Sequence, residues 1–170
     1  RSSPCWLETL GVESATVDSV LEVCEADVKG RFAVREEEIL LVRANQGHTI
    51  ATVDPEQLMT PIENAEDGPV CLHGTYDEAF ENIVRSVGLN RMQRQAIQMA
   101  IGLADNPEVR SGIRRNVDLV IFINVDRAMR QGLRFYRSQN NVICCLGPIP
   151  LDCFIKVVRL CDGSLLNFQR

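Results

Sequence analysis

The sequence predicts an α+β fold built from two unequal parts, and three observations support this prediction. Short β-rich runs outnumber the helical segments along the chain. The helical segments do not alternate regularly with those runs, which disfavours a parallel α/β sheet. A stretch rich in prolines, acids and turn residues, between Pro55 and residue 69, indicates a linker. We therefore predict a first domain at residues 1–63 and a second at residues 64–170.

The first part contains one predicted helix and one predicted hairpin. Valines and a cysteine recur at helical spacing over residues 14–28, with Ser14 or Thr16 as the N-terminal cap. Residues 31–34 and 39–42 are β-rich and are separated by a strongly charged tip, which predicts a hairpin. A helix followed by a hairpin is half of a winged-helix pattern. Since the chain also opens on an arginine, we expect this part to be truncated at its start.

The second part is richer in strands. Two helices are predicted there, one over residues 76–87 that ends at Gly88 and one over residues 126–130 that ends at Gly132. Residues 117–125 form the clearest buried strand. The remaining apolar runs are short and are predicted as strands: residues 70–73, 96–101, 134–137, 142–146 and 154–160. The run at residues 96–101 is ambiguous and is also compatible with a helix.

The seven cysteines include no Cys-x-x-Cys pair, and most lie among hydrophobic neighbours. We therefore predict buried thiols in a reducing compartment rather than a disulfide framework. His48 and His73 are the only histidines, so a mixed Cys/His site has little to build on and no metal is predicted. No apolar run approaches the roughly 20 residues that span a bilayer. We predict an intracellular protein, cytoplasmic or nuclear, that is monomeric and makes no membrane contact.

The net charge of −5 hides an uneven distribution of charged residues. Acids dominate residues 1–69, whereas residues 91–137 contain nine arginines against four acids. Arginine presents a planar fork of donors that grips phosphate oxygens through two hydrogen bonds, so this segment indicates a ligand that contains phosphate. For any single arginine, a solvated surface position is the better expectation.

Residues 43–48 carry a first candidate binding motif, directly after the predicted hairpin. Arg43, Gln46 and His48 are combined there with a second amide and a glycine, a set that suits an anionic, polar ligand. A hydrogen-bonded turn explains the same residue types equally well.

His73, Gly74 and Thr75 form a second candidate motif at the end of a predicted strand. Ligands often meet sheets at strand ends, and glycine permits a close approach. A core histidine beside a helix-capping threonine is the alternative, and on residue types alone it is favoured. Two further candidates are the loop over residues 88–94, with two arginines, and the turn over residues 135–142.

The order of these motifs resembles the RNA 2′-phosphotransferase family. RANQGH, LHGT, a helix, GL-x-x-M-x-R, a VIF strand and FYRS-x-N follow one another over residues 31–154, and such ordered co-occurrence is more specific than any one motif. The resemblance implies transfer of the 2′-phosphate left at a tRNA splice junction to NAD⁺. The implied products are nicotinamide, ADP-ribose 1″,2″-cyclic phosphate and RNA with a free 2′-hydroxyl. The implied fold is a winged-helix-like N-terminal lobe joined to an ADP-ribosyltransferase-like C-terminal lobe.

The same resemblance implies roles for individual residues. Arg43 and Arg94 match the family's catalytic arginines. The residues implied to bind NAD⁺ are His73, Gly74, Thr75, Gly88 and Leu89. The residues implied to bind RNA phosphate are Arg43, Gln46, His48 and Arg137. Because the attacking phosphate is already ionised, orientation and charge compensation matter more at the first step than acid–base catalysis.

The chain departs from the family's pattern at several places. The family's adjacent Arg-His pair is absent, and Trp6 resembles the tryptophan that follows it, so we expect that pair upstream of Arg1. Ala96 and Gln98 occupy the places of a His-x-His arrangement, and Asn141 that of a glycine. Two alternatives therefore stay open. One is a catalytically impaired homologue that binds NAD⁺ and RNA, and the other is an ADP-ribosyltransferase that acts on another phosphate or on a protein acceptor.

Overall fold

A computed structural model describes residues 16–50, 52–67, 70–109 and 111–168. Helices and short strands both occur there, and every strand pairing within those ranges is antiparallel. The predicted α+β class is therefore confirmed. The predictions made on Trp6 and Ser14 lie outside the described residues.

The first part begins with the predicted helix and hairpin. Helix α1 (Val17–Glu25) starts at Thr16, whose side chain accepts a hydrogen bond from the backbone N–H of Ser19 at 3.1 Å. The Ser19 hydroxyl accepts from the Thr16 N–H in return, which completes a capping box. Strands β1 (Phe32–Glu36) and β2 (Leu40–Ala44) pair as an antiparallel hairpin. Both elements were predicted, and the helix ends three residues earlier than expected.

Two ordered elements occupy the stretch that was predicted as a linker. Helix α2 (Pro55–Leu58) has its proline at the first helical positions, where a missing N–H is tolerated, and Asp54 caps it. Strand β3 (Thr60–Ile62) lies at the edge of a four-stranded sheet, which is where a proline can enter a sheet without losing a ladder hydrogen bond. Pro55 therefore begins a helix, and Pro61 lies in the edge strand of a sheet. The domain boundary at residues 63 and 64 stays a prediction.

The second part contains three small sheets. The first has the order β11-β7-β4, from β4 (Leu72–Thr75), β7 (Leu119–Ile123) and β11 (Phe154–Arg159). The second has the order β3-β8-β9-β6 and adds β6 (Ile97–Met99), β8 (Phe135–Arg137) and β9 (Ile143–Cys145). The third pairs β5 (Gly88–Leu89) with β10 (Ile149–Pro150). A bridge between Leu72 and Ala100 links the first two sheets.

The hydrophobic core lies between these sheets and two helices. Helix α3 (Asp77–Arg85) contributes Phe80, and helix α4 (Val125–Arg130) contributes Val125 and Ala128. Two single 3₁₀ turns, Ala65–Asp67 and Leu151–Cys153, complete the elements in the described ranges. By contrast, α1 buries none of its residues. The core that positions the candidate site therefore belongs to the second part.

The prediction that Gly88 ends helix α3 is wrong. Ser86 is the C-terminal cap, and the residue after it, Val87, takes the left-handed conformation with φ of 60°. Gly88 instead lies in β5 with φ of 149°, where a side chain would collide with the carbonyl oxygen of Ile149. The glycine is needed for strand contact rather than for the helix stop.

The described cysteines are all free thiols. Cys71, Cys144, Cys145 and Cys153 are buried as predicted, whereas Cys24 is only partly buried. No three His, Cys, Asp or Glu side chains in the described ranges are grouped so that they could hold a metal ion. In the same residues, no helix has the length and apolar character needed to cross a membrane.

Candidate functional site

The loop after β2 is held by its own amides. Asn45 is buried, with 4% of its surface exposed, and its side-chain N–H donates to the carbonyl of Gly30 at 2.8 Å. Gly47 has φ of 83°, and a Cβ there would lie 2.8 Å from Nε2 of Gln98. Residues 45 and 46 form a bend, and no backbone hydrogen bond closes a turn within residues 43–48, so the hydrogen-bonded turn offered as the alternative is not found there. Gly47 permits contact with β6.

Gln98 connects that loop to two other predicted site residues. Its Nε2 donates to Oε1 of Gln46, and its Oε1 accepts a 2.5 Å hydrogen bond from Nη1 of Arg94. Its backbone carbonyl contacts Nδ1 of His73 at 2.9 Å. Gln46, His73 and Arg94, which are far apart in sequence, thus meet at one residue. Sequence reasoning noted Gln98 only as a departure from a motif and assigned it no role.

The contact with Gln98 determines the tautomer of His73. A carbonyl oxygen can only accept, so Nδ1 carries the proton and Nε2 is the ring's acceptor. Burial lowers the pKa of His73, the charge of Arg94 lowers it further, and the Gln98 carbonyl opposes both. His73 is therefore a neutral imidazole at pH 7, next to a permanent positive charge.

Gly74 and Thr75 have structural surroundings of their own. A Cβ on Gly74 would lie 2.7 Å from Cγ1 of Ile113. The close approach that this glycine permits is therefore made by the side chain of Ile113 and not by a ligand. Thr75 is buried and its carbonyl accepts from the N–H of Asp118 at 3.0 Å. It does not cap α3, because the cap position is Tyr76, which makes no side-chain cap bond.

Gly88 and Leu89 are placed by packing contacts. Leu89 is 2% exposed and belongs to the hydrophobic core, and Gly88 packs on the backbone of β10. The structure gives both residues a packing role, and their predicted contact with NAD⁺ stays a prediction.

Arg43 and Arg137 differ in how they are held. Arg43 is exposed, and among the described residues its guanidinium bonds to two neutral oxygens, Oε1 of Gln139 at 3.2 Å and the carbonyl of Ala44 at 3.3 Å. Arg137 also uses both ends of its fork, donating to Oδ1 of Asn141 and to the carbonyl of Asp67, but it is only partly exposed. Arg43 is therefore better placed than Arg137 to release its donors to a phosphate.

A cleft of about 680 Å³ lies beside Arg94. The arginine-rich loop at residues 91–95 forms one wall, and residues 49, 52–54 and 56 form the other. Gln95 ties the two walls together, since its Nε2 donates to the carbonyls of Ile50 at 2.5 Å and Val53 at 2.7 Å. Arg91 and Arg94 therefore line one wall of the cleft, and the hydrogen bonds of Gln95 hold that wall against the opposite one.

His48 faces a different space. Its Nε2 is buried without a hydrogen-bond partner, and the same holds for Oδ1 of Asn45 and Oε1 of Gln95. All three residues line one small cavity that also contains Ala96 and Cys144. Unpaired buried polar atoms are uncommon, so this cavity concentrates unused hydrogen-bonding capacity. It places the His48 ring away from the open cleft at Arg94.

A second cleft, of about 750 Å³, lies near Gly74. Ile113 and Val117, which contact Gly74, line it together with the basic residues Lys29, Arg114 and Arg115. None of the predicted site residues lines this cleft.

Residues 7–147 match the family described as RNA 2′-phosphotransferase, Tpt1/KptA family. A protein of Schizosaccharomyces pombe named as a tRNA 2′-phosphotransferase is 40% identical over 153 residues, which are 88% of this chain and 41% of the relative. The tRNA 2′-phosphotransferase 1 of Danio rerio is 38% identical over 138 residues, 79% of this chain and 60% of the relative. The tRNA 2′-phosphotransferase of Saccharomyces cerevisiae is 30% identical over 156 residues, 88% of this chain and 66% of the relative.

This chain thus spans 41% to 66% of the length of these three relatives. The family match, in turn, covers most of the chain and includes the Arg43, His73 and Arg94 motifs. The resemblance that the ordered motifs predicted is confirmed. The chain belongs to the RNA 2′-phosphotransferase, Tpt1/KptA family.

Proposed function

We propose that this protein transfers the 2′-phosphate of spliced tRNA, or of a similar RNA, to NAD⁺. The observation that supports it best is the meeting of Arg94, Gln46 and His73 at Gln98. A permanent cation, an amide and a neutral imidazole from three separate segments suit a ligand that combines phosphates with hydroxyl groups. The proposal includes the winged-helix-like and ADP-ribosyltransferase-like lobes, a monomer and an intracellular location.

The residues present fit NAD⁺ as the second substrate. The neutral His73 ring offers Nε2 as an acceptor for a ribose hydroxyl, and Arg94 offers donors for phosphate oxygens. NAD⁺ would supply the carbon that the phosphate attacks and nicotinamide as a neutral leaving group. No protein acid is required for that departure, which agrees with a site built on arginines and amides.

In this proposal the arginines perform most of the catalysis. Arg43 and Arg94 hold the RNA phosphate, reduce its repulsion from the diphosphate of NAD⁺ and orient it for attack. Gln46 lies in the same loop as Arg43 and bonds to the side chain of Gln98. Arg137 holds the turn over residues 135–142 through its bonds to Asn141 and Asp67.

The direct test is an assay with an oligonucleotide that carries a labelled internal 2′-phosphate. We expect the label to move to a small acidic product only when NAD⁺ is present, with one nicotinamide released per phosphate transferred. An unchanged label after prolonged incubation at high enzyme concentration, despite binding of both substrates, would reject the proposal.

We predict that Arg43→Ala and Arg94→Ala each reduce transfer by about 10²-fold or more, because a preorganised charge is lost from the transition state. Arg85→Ala is the matched control, since Arg85 is exposed on α3 and, within the described part of the chain, forms its ion pair with Glu81. Rates measured under single-turnover conditions should be normal in the control. Near-normal rates in either of the first two variants would remove that arginine from the site.

One observation favours a second candidate function, that of a binding module without turnover. Ala96, just before β6, and Gln98, within it, provide no imidazole. The second step of the reaction, in which a ribose hydroxyl attacks the phosphorus and expels the RNA, therefore has fewer groups for proton transfer there. This alternative predicts NAD⁺ and RNA binding by calorimetry with no product. An ADP-ribosyltransferase that uses another acceptor is distinguished from both functions by incubation of labelled NAD⁺ with RNA ends, DNA ends and proteins. Only such an enzyme would attach the label to one of these acceptors.

A further inference from the structure

We propose that Gln98 is a positioning residue that sets the direction of the Arg94 guanidinium relative to the loop at residues 43–48. The inference rests on the proposed function. Its observations are the two opposite side-chain bonds of Gln98, one accepted from Arg94 and one donated to Gln46. No other residue in the described ranges bonds to the side chains of both.

The base of the Gln98 side chain is held rigidly. Its neighbours Ile97 and Met99 are buried, at 3% and 0% exposure, and Gln98 itself pairs with Cys144 of β9. Its carbonyl is additionally bound by His73. A side chain that starts from a backbone anchored both by β9 and by His73 can place its amide reproducibly, which is what orientation of a catalytic cation requires.

The amide group is chemically suited to this position because it has both an acceptor and a donor. A carboxylate would also accept from Arg94, but it would have no donor for Oε1 of Gln46. An apolar side chain of the same length would serve neither neighbour. Gln98 can therefore join a cation to a neutral amide across two segments of the chain.

The neutrality of Gln98 also preserves the charge of Arg94. Six arginines in the described ranges form ion pairs with carboxylates, and neither Arg94 nor Arg43 is among them. Both are held by glutamine amides, Arg94 by Gln98 and Arg43 by Gln139. An arginine oriented by an amide keeps its positive charge available for phosphate, whereas one oriented by a carboxylate is already compensated.

The experiment compares Gln98→Met with Gln98→Glu. The methionine variant keeps side-chain length without polar atoms, and we expect single-turnover transfer to fall about 10- to 100-fold, since small misplacement of a catalytic group has effects of this order. The glutamate variant retains a partner for Arg94, yet we expect it to weaken binding of the 2′-phosphorylated oligonucleotide at least 10-fold. Gln57→Met, at an exposed position of α2, is the matched control and should be unchanged.

Binding distinguishes this inference from failure of the proposed function. In an Arg94→Ala background, we expect Gln98→Met to cause no further loss of oligonucleotide affinity, because the two act as one unit. The side-chain Nε–H signal of Arg94 in ¹⁵N NMR spectra should shift in Gln98→Met and stay in place in Gln57→Met. Neither measurement needs turnover, so both remain decisive if the wild-type protein transfers no phosphate.

Two outcomes would overturn the inference. One is an unshifted Arg94 signal in both Gln98 variants together with unchanged oligonucleotide affinity. The other is a loss of affinity in Gln98→Met of the same size with and without Arg94, which would assign Gln98 a purely structural role. If Gln98→Met does not fold, the oligonucleotide affinity and the Arg94 NMR signal are measured in Gln98→Glu instead.

Discussion

Val87 has a backbone conformation that its residue type disfavours. Its φ of 60° lies in the left-handed region, which costs an L-residue roughly 1–2 kcal/mol and a β-branched residue most of all. Its side chain is 59% exposed, so packing does not compensate for this cost. Helices more often end with glycine at this position, and here the glycine stands one residue later, in β5.

We predict that Val87→Gly stabilises the protein by about 0.5–1 kcal/mol, because relief of the left-handed strain exceeds the entropy that glycine gains in the unfolded chain. Val28→Gly is the control, since Val28 is 86% exposed and does not have a positive φ. Denaturant unfolding should show a higher midpoint for the first variant and a lower one for the second. Equal losses in both would mean that Val87 is not strained.

At the scale of elements, the meeting of the sheets brings three buried thiols together. Burial raises the pKa of Cys144 to about 12 and that of Cys145 to about 11, and the neighbouring Cys145 adds to the effect at Cys144. Burial also raises the pKa of Cys71, again with contributions from Cys145 and Cys144. These thiols stay protonated in the folded state well above their ordinary pKa of 9.0.

We therefore predict that the contribution of these thiols to the free energy of unfolding is nearly constant up to about pH 8 and declines above about pH 9. The unfolded chain loses these protons near pH 9, while the folded protein retains them until about pH 11 to 12. Each thiol contributes a slope of about 1.4 kcal/mol per pH unit in that window. Chemical denaturation at pH 7 to 10.5 measures it, and Cys144→Ala should reduce the slope. An identical slope in wild type and variant would contradict the assignment.

At the scale of the whole molecule, residues 16–50 are joined to the second part mainly by polar contacts. The side chain of Asn140, 6% exposed, donates to the carbonyl of Lys29 at 3.0 Å. Arg43 donates to Oε1 of Gln139 at 3.2 Å. The apolar residues of α1 and the hairpin, in contrast, are largely exposed, as Val17 at 61% and Ile39 at 68% illustrate. Stability is therefore expected to differ between the two parts.

We predict that Asn140→Ala lowers the protection of β1 against hydrogen exchange, corresponding to a loss of about 1 kcal/mol, because a part-buried carbonyl loses its donor. Protection of β7, in the centre of the core, should not change. Exchange measured by mass spectrometry on peptides from both strands tests this, with Glu63→Gln, an exposed position, as the control. A uniform loss in both strands would show that the two parts unfold as one unit.

Elements with strong local signals were predictable from the sequence. Helix α1, the β1–β2 hairpin, β7 and α4 occur where residue spacing placed them. The linker predicted from the prolines was wrong at α2 and β3, because the sequence does not distinguish a proline that begins a helix or lies in an edge strand from one in a linker. Gly88 misled it for a similar reason, since its role depends on the carbonyl of Ile149, 61 residues away along the chain (149 − 88).

For the candidate site, the sequence by itself determined the family and the residue types, because ordered motifs record which side chains are present. Only the tertiary structure decided which of them meet. Gln98 joins Arg94 to Gln46, a partner 52 residues away in sequence, while Leu89 lies in the core and His48 lines a small cavity. The physical reason is that hydrogen bonds depend on distances of about 3 Å in space, and spacing along the chain carries no information about such distances across separate sheets.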